Sequence, residues 1–179
     1  DLGYLKFSEP FTKLFNQGML HGEDGFVMSK SRGNVVLPEE VSKKYGIDTA
    51  RLFLMSIASP DKDTEWNDSG VEGSLRFIKK IMGTIGKIKK GKSSKLVESK
   101  INKAIKEISY EIIGFRYNIA IIKLRGLFDA IESEKEINKK DLESFLKMLS
   151  VFVPHIAEEL WEKIGNKGFI SLQKWPEAD

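Results

Sequence analysis

The sequence has no cysteine and only two histidines, His21 and His155. Without thiols there is no disulfide scaffold, no thiolate zinc or iron–sulfur site and no cysteine nucleophile. Two histidines cannot build a polyhistidine centre, so no metal site is expected. No apolar run approaches the roughly 20 residues that span a bilayer, and no membrane partner is expected. The opening Asp-Leu-Gly-Tyr lacks a basic region followed by an apolar stretch, so it does not read as a signal peptide. There is no starting Met, and residue 1 reads as an internal point of a longer chain.

What is present is ordinary for a globular protein: 179 residues, 41% hydrophobic and 31% charged, enough for one domain or two small ones with a real core. The net charge of +3 hides an asymmetry. Residues 75–106 hold eleven basic side chains (Arg76, Lys79, Lys80, Lys87, Lys89, Lys90, Lys92, Lys95, Lys100, Lys103 and Lys106) against one acid, Glu98. Such a stripe favours polyanions such as RNA through phosphate contacts and counterion release, although a solubilising lysine-rich face has the same composition.

The two ends of the chain differ in character. Residues 1–68 mix glycine, proline and short apolar runs, which predicts short helices, turns and a short strand over 26–28. Pro38-Glu39-Glu40 has the form of a helix start and Gly46 of its end. Asp48 is read as the cap of the next helix, which carries Ala50, Phe53, Leu54 and Ile57. Beyond residue 68 the spacing is helical. Leu75, Ile78, Met82, Ile85 and Ile88 form one stripe. Ile101, Ile105, Ile108, Ile112, Phe115, Ile119 and Ile122 form another, with a break expected at Gly114. Leu142, Phe145, Leu146, Leu149 and Val153 form a third, and Pro154 opens a last helix that buries Ile156, Leu160 and Ile164 and ends at Gly165. The fold class is therefore mainly α: a small mixed segment over 1–68, then a bundle of four or five helices within 69–179. Residues 166–179 are expected to form a short strand or an irregular tail, with Trp175-Pro176 packing back and Trp161 and Trp175 in the core.

The segment that carries chemistry is Met28-Ser29-Lys30-Ser31-Arg32-Gly33-Asn34. Short polar residues and a glycine make a tight, mobile loop. Lys30 and Arg32 can neutralise phosphate oxygens that Ser29, Ser31 and backbone N–H groups hydrogen-bond; an ordinary basic surface turn fits as well. Gly86 to Ser93 also satisfies the phosphate-loop pattern G-x-x-x-x-G-K-S, the mark of an NTPase. That pattern needs a strand before it and a parallel sheet around it, whereas here helical spacing precedes and no strands follow. It reads as a helix end and basic linker, and a strand ending near Ile85 would reverse that.

Met28-Ser29-Lys30-Ser31 followed by Gly33-Asn34-Val35-Val36 resembles the KMSKS signature of the class I aminoacyl-tRNA synthetases. Gln17-Gly18-Met19 and Tyr45-Gly46-Ile47-Asp48-Thr49-Ala50-Arg51-Leu52-Phe53 are similar to runs flanking that loop. Glu65-Trp66-Asn67-Asp68-Ser69-Gly70-Val71-Glu72-Gly73 resembles the bacterial leucyl branch, with isoleucyl and valyl enzymes as alternatives. Arg116-Tyr117-Asn118-Ile119-Ala120-Ile121, Pro154-His155-Ile156-Ala157-Glu158-Glu159-Leu160-Trp161 and Trp175-Pro176 resemble the anticodon-binding domain. The likeness covers nearly the whole chain in order.

The resemblance implies ATP-dependent activation of leucine and its transfer to tRNA(Leu) in the cytoplasm, with Mg2+ on the nucleotide. Residues 1–68 would be the end of a catalytic domain and 69–179 an anticodon-binding bundle. It implies Lys30 as the catalytic cation on the departing diphosphate, and Met28, Ser29, Lys30 and Ser31 as the ATP loop. Val27 stands where the family carries its first lysine, so one phosphate-side charge is missing. Arg116, Asn118, Lys123 and Arg125 would face tRNA, although Asn118 could equally cap the helix after Gly114. Asp68 reads as a helix cap and His155 as structural. The partner signature HIGH needs two histidines three positions apart, which His21 and His155 cannot supply. The chain is thus expected to work with a missing N-terminal catalytic part and to make no adenylate alone. A stand-alone helical RNA-binding module with a vestigial loop is the alternative from another class.

Overall fold

In the computed structural model residues 3–4 and 6–179 are described, so the reading of Asp1 and Leu2 falls outside them. The elements run β1 (Leu20–His21), α1 (Pro38–Tyr45), α2 (Ile47–Ile57), β2 (Thr64–Glu65), α3 (Asp68–Ile85), β3 (Lys89–Lys90), α4 (Lys95–Ile113), α5 (Tyr117–Glu132), β4 (Glu136–Ile137), α6 (Lys139–Ser150), α7 (Pro154–Lys163) and a 3-10 turn, Ile170–Leu172. The fold is mainly α. Two short parallel pairs, β1 with β2 and β3 with β4, are the strands among the described residues.

Two apolar cores form. A small one gathers Val41, Ala50, Phe53, Trp66 and Val71, with Leu20, Met28 and Val36 packed against it. A large one fills the bundle α3–α7 around Phe128, which meets Phe77 edge-on at 5.5 Å and lies 5.9 Å from Phe145. Helix α2 feeds both: Phe53 and Ala50 enter the small core and Leu52 the large one.

The stripe of α6 lies as its spacing predicts, with Leu142, Phe145, Leu146, Leu149 and Val153 buried, and in α7 Leu160 and Ile164 are buried while Ile156 is only half-buried and Ala157 takes the inner face. In α3 the buried face is Val71, Phe77, Ile78, Ile81 and Ile85, while Met82 points outward, 37% exposed. The long isoleucine stripe does not cross from α4 to α5: Ile122 is 62% exposed, and Ala120, Ile121 and Leu124 take the inner face. The corner resets the phase. Helix α4 does end before Gly114, but the left-handed residue of the turn is Phe115, at φ 58°. Its ring stacks on Phe15 at 4.8 Å.

Capping differs from expectation at three places. Asn67, not Asp68, caps α3 by accepting the Gly70 amide at 2.7 Å. Asp48 lies inside α2, whose N-cap is Gly46, and Asn118 lies inside α5 without capping it. The chain between Ile85 and Ser93 follows a helix, not a strand, so the phosphate-loop pattern is a helix end and linker. The expected strand at 26–28 is a single bridge from Val27 to His21, the strand proper being β1. Trp161 is core, but Trp175 is 38% exposed and donates its indole N–H to Ser109 Oγ at 2.7 Å.

Phe128 has no exposed surface. Phe128→Ala should lower unfolding free energy by about 3–5 kcal/mol, read from urea denaturation.

Candidate phosphate loop and nucleic-acid interface

The loop rises from a hairpin built on the small core. The Met28 amide donates to the Leu20 carbonyl at 3.0 Å and the Gly22 amide to the Phe26 carbonyl at 2.8 Å, closing the turn at 22–26. Below it, the parallel pairing of β1 with β2 brings residue 18 against residue 62. A Cβ on Gly18 would sit 2.1 Å from the Lys62 carbonyl oxygen, which explains glycine in Gln17-Gly18-Met19.

Asn34 closes the loop at its base. Its Oδ1 accepts the Ser29 amide at 2.8 Å, and its Nδ2 donates to the Asp24 carboxylate at 3.1 Å. Within the loop the Arg32 amide donates to the Ser29 carbonyl at 3.2 Å and to Ser29 Oγ at 3.3 Å, and the Ser29 and Ser31 hydroxyls lie 3.1 Å apart. The Gly33 amide returns to the Lys30 carbonyl at 3.2 Å, and Gly33 takes φ 72°. Met28 anchors the near end against the small core.

Lys30 sits at the tip, exposed, with no acidic partner among the described residues. The guanidinium of Arg32 lies over the Phe26 ring at 4.3 Å, which holds that charge to one side of the hairpin. Val27 is 37% exposed and brings no charge. The loop is thus fixed at its base and presents one free ammonium flanked by two hydroxyls. Nothing in the sequence singles out Asp24 and Asn34 as partners, because their bond spans ten positions and leaves no local signature.

The proposed RNA-facing residues are largely engaged within the chain. Arg116 is ion-paired to Glu111 and stacked over Tyr110 at 4.8 Å. Lys123 Nζ lies 3.0 Å from Glu107. Arg125 stacks on Phe77 at 4.1 Å, and its half-buried guanidinium is pulled below the ordinary arginine range by that burial. Asn118 is half-buried, and its Oδ1 has no hydrogen-bond partner. Lys123 lines a shallow groove with Lys100 and Lys103, and Arg125 lines another with Arg76 and Lys80.

The basic stripe is open over most of its length: Arg76, Lys80 and Lys103 pair with Glu72, Glu132 and Glu107, and Lys90 donates to the Ile164 carbonyl, but the other seven are free. Lys79, Lys87, Lys89, Lys92, Lys95, Lys100 and Lys106 are exposed, with no ion pair among the described residues. The linker carrying several of them is pinned. β3 pairs with β4, the Ser93 hydroxyl donates to Asp141 at 2.5 Å, and the Ser94 hydroxyl donates to Glu134 at 2.5 Å. A fixed backbone displaying unpaired cations is suited to a polyanion.

Residues 4–67 match the family described as tRNA synthetases class I (I, L, M and V), and residues 94–179 match the anticodon-binding domain of tRNA ligase. The chain belongs to the class I tRNA synthetases. Its relatives on the leucine branch align along all of it. Leucine–tRNA ligase of Fervidobacterium nodosum is 43% identical over 201 residues, covering 100% of this chain and 24% of the relative. Leucine–tRNA ligase of Thermotoga maritima is 39% identical over 203 residues, with 100% and 24% covered. That of Mycoplasma capricolum is 41% identical over 182 residues, with 100% and 23% covered. The chain spans about a quarter of the length of these relatives. A crystal structure of the ternary complex of Agrobacterium radiobacter K84 agnB2 LeuRS-tRNA-LeuAMS shares the fold, with a TM-score of 0.83 and 23% identity over 99% of this chain and 26% of that one.

Asp24 is held below its ordinary 3.8, first by the Asn34 side chain and then by the Phe26 amide. A depressed carboxylate contributes order that is complete above the ordinary value and lost as pH falls through the lowered one. The exchange protection of the Ser29 amide should be constant at neutral pH and fall only below about pH 4. Asp24→Ala should show the reduced protection at every pH.

Proposed function

We propose that this chain is the part of a leucine–tRNA ligase that carries the KMSKS-type loop and the anticodon-binding bundle, residues 1–68 ending the catalytic domain and 69–179 forming the bundle. The observation that carries the reading is Lys30: an unpaired ammonium at the tip of a loop whose base is fixed, in a chain of the class I family. In adenylate formation the carboxylate of leucine attacks the α-phosphorus of ATP. An oxygen–phosphorus bond forms, and the bond to the bridging oxygen breaks. Diphosphate leaves with the electron pair, so negative charge grows on it. A cation that closes on that charge lowers the barrier because its attraction is greatest in the transition state.

Lys30 takes that role, with Met28 as anchor and Ser29 and Ser31 as hydroxyl donors to phosphate oxygens. Mg2+ arrives on the nucleotide. Leucine is favoured over isoleucine or valine by relatives that are leucine–tRNA ligases along the whole chain. The HIGH-bearing catalytic part supplies the remainder of the site, and the reaction takes place in the cytoplasm. tRNA is gripped by the lysine edge of α3 and α4, which the grooves at Lys123 and Arg125 extend. Arg116 and Asn118 complete the set where α5 begins, Arg116 by exchanging its Glu111 partner for phosphate.

With the HIGH-bearing part supplied, Lys30→Ala should slow leucylation by orders of magnitude. Unchanged activity would remove Lys30 from the mechanism. Charge reversal at Lys89, Lys92 and Lys95 should weaken tRNA binding and flatten its salt dependence by about one unit of log–log slope for each phosphate no longer neutralised. An unaltered slope in a filter-binding titration would place the tRNA elsewhere.

A further inference from the structure

Two side chains of α2 reach the corner where α6 ends and α7 begins. Asp48, 5% exposed, accepts the Ile156 amide at 2.8 Å on Oδ2 and lies 2.8 Å from His155 Nδ1 through Oδ1. Ile156 is the third residue of α7, so the carboxylate closes the open N-terminus of a helix far away in sequence, where the dipole favours an anion. Three residues along α2, Arg51 Nη2 donates to the carbonyl of Val151, the C-cap of α6, at 3.2 Å. There the dipole favours a cation. Positions three apart share a helix face, so acid and base address opposite helix ends side by side.

The same helix holds Ala50 and Phe53 in the core beneath the loop. We propose that Asp48 and Arg51 form a clamp that fixes the bundle's orientation relative to the Lys30 loop, and that they are positioning residues for the tRNA-dependent step. The inference rests on the ligase reading above. Of this chain, adenylate formation draws only on the loop, which acts with the HIGH-bearing part, whereas transfer needs loop and bundle in register with one bound tRNA. α4 has 19 residues, so a tilt of about 5° over its length displaces its far end by about 2.5 Å. Errors of about 1 Å already cost roughly a hundredfold in reacting geometry.

The test uses the complete ligase, this chain together with its HIGH-bearing part. Asp48→Ala and Arg51→Met should leave leucine-dependent pyrophosphate exchange within about threefold, while kcat/KM for tRNA in leucylation falls roughly tenfold or more. Asp48→Asn, which keeps an acceptor for the Ile156 amide, should lie between. Arg51 is exposed, so its variant carries the test even where Asp48→Ala does not fold. Exchange and leucylation falling in the same ratio, or leucylation holding in Arg51→Met, overturns the clamp. An unmodified enzyme that shows no leucine-dependent exchange overturns the ligase reading and the clamp with it.

Discussion

A carboxylate taken out of water must be met by donors or it costs several kcal/mol, and Asp48 is met by the first turn of α7. That requirement ties the segment carrying the loop to the bundle. Neither the two-residue pairing of β1 with β2 nor the packing of α1 could orient five helices. α2 can, because its apolar residues divide between two cores while its polar residues meet two helix ends. α3 spans the same division, with Val71 in the small core and Phe77 in the large one, so the loop's position relative to the lysine edge rests on these two helices.

The loop itself separates order from freedom. Asn34 and Asp24 satisfy the polar groups at its base, and Met28 and Val36 tie its ends to the small core. Lys30 is left with no partner of its own among the described residues. An ammonium already paired to a carboxylate would have to break that pair before meeting phosphate. Arg116 and Lys123 show the contrast, since each is held by a glutamate of α4. Val27 brings no charge to the hairpin, and Arg32, stacked on Phe26, is directed to the side of the turn.

Much of the fold was legible in sequence because helical burial repeats locally. The α6 and α7 stripes, the helix start at Pro38 and the ends at Gly46 and Gly114 need only near neighbours. Where a corner intervenes, the repeat misleads. Ile122 continues the α4 spacing on paper, but the left-handed Phe115 rotates α5 so that it faces solvent. Asp48 is the same lesson in polar form: a cap-type residue beside a helix start reads as belonging to that helix, whereas its carboxylate serves one more than a hundred positions later.

Sequence alone determined the family and the helical class and singled out the loop at 28–34, because motif spacing and periodicity are written between residues close in the chain. The tertiary structure decided which charges are free to act. Lys30 and most of the stripe lysines are open, while Lys80, Lys103, Arg116, Lys123 and Arg125 are occupied, and whether a charge has a partner depends on residues that only folding brings within a few ångströms.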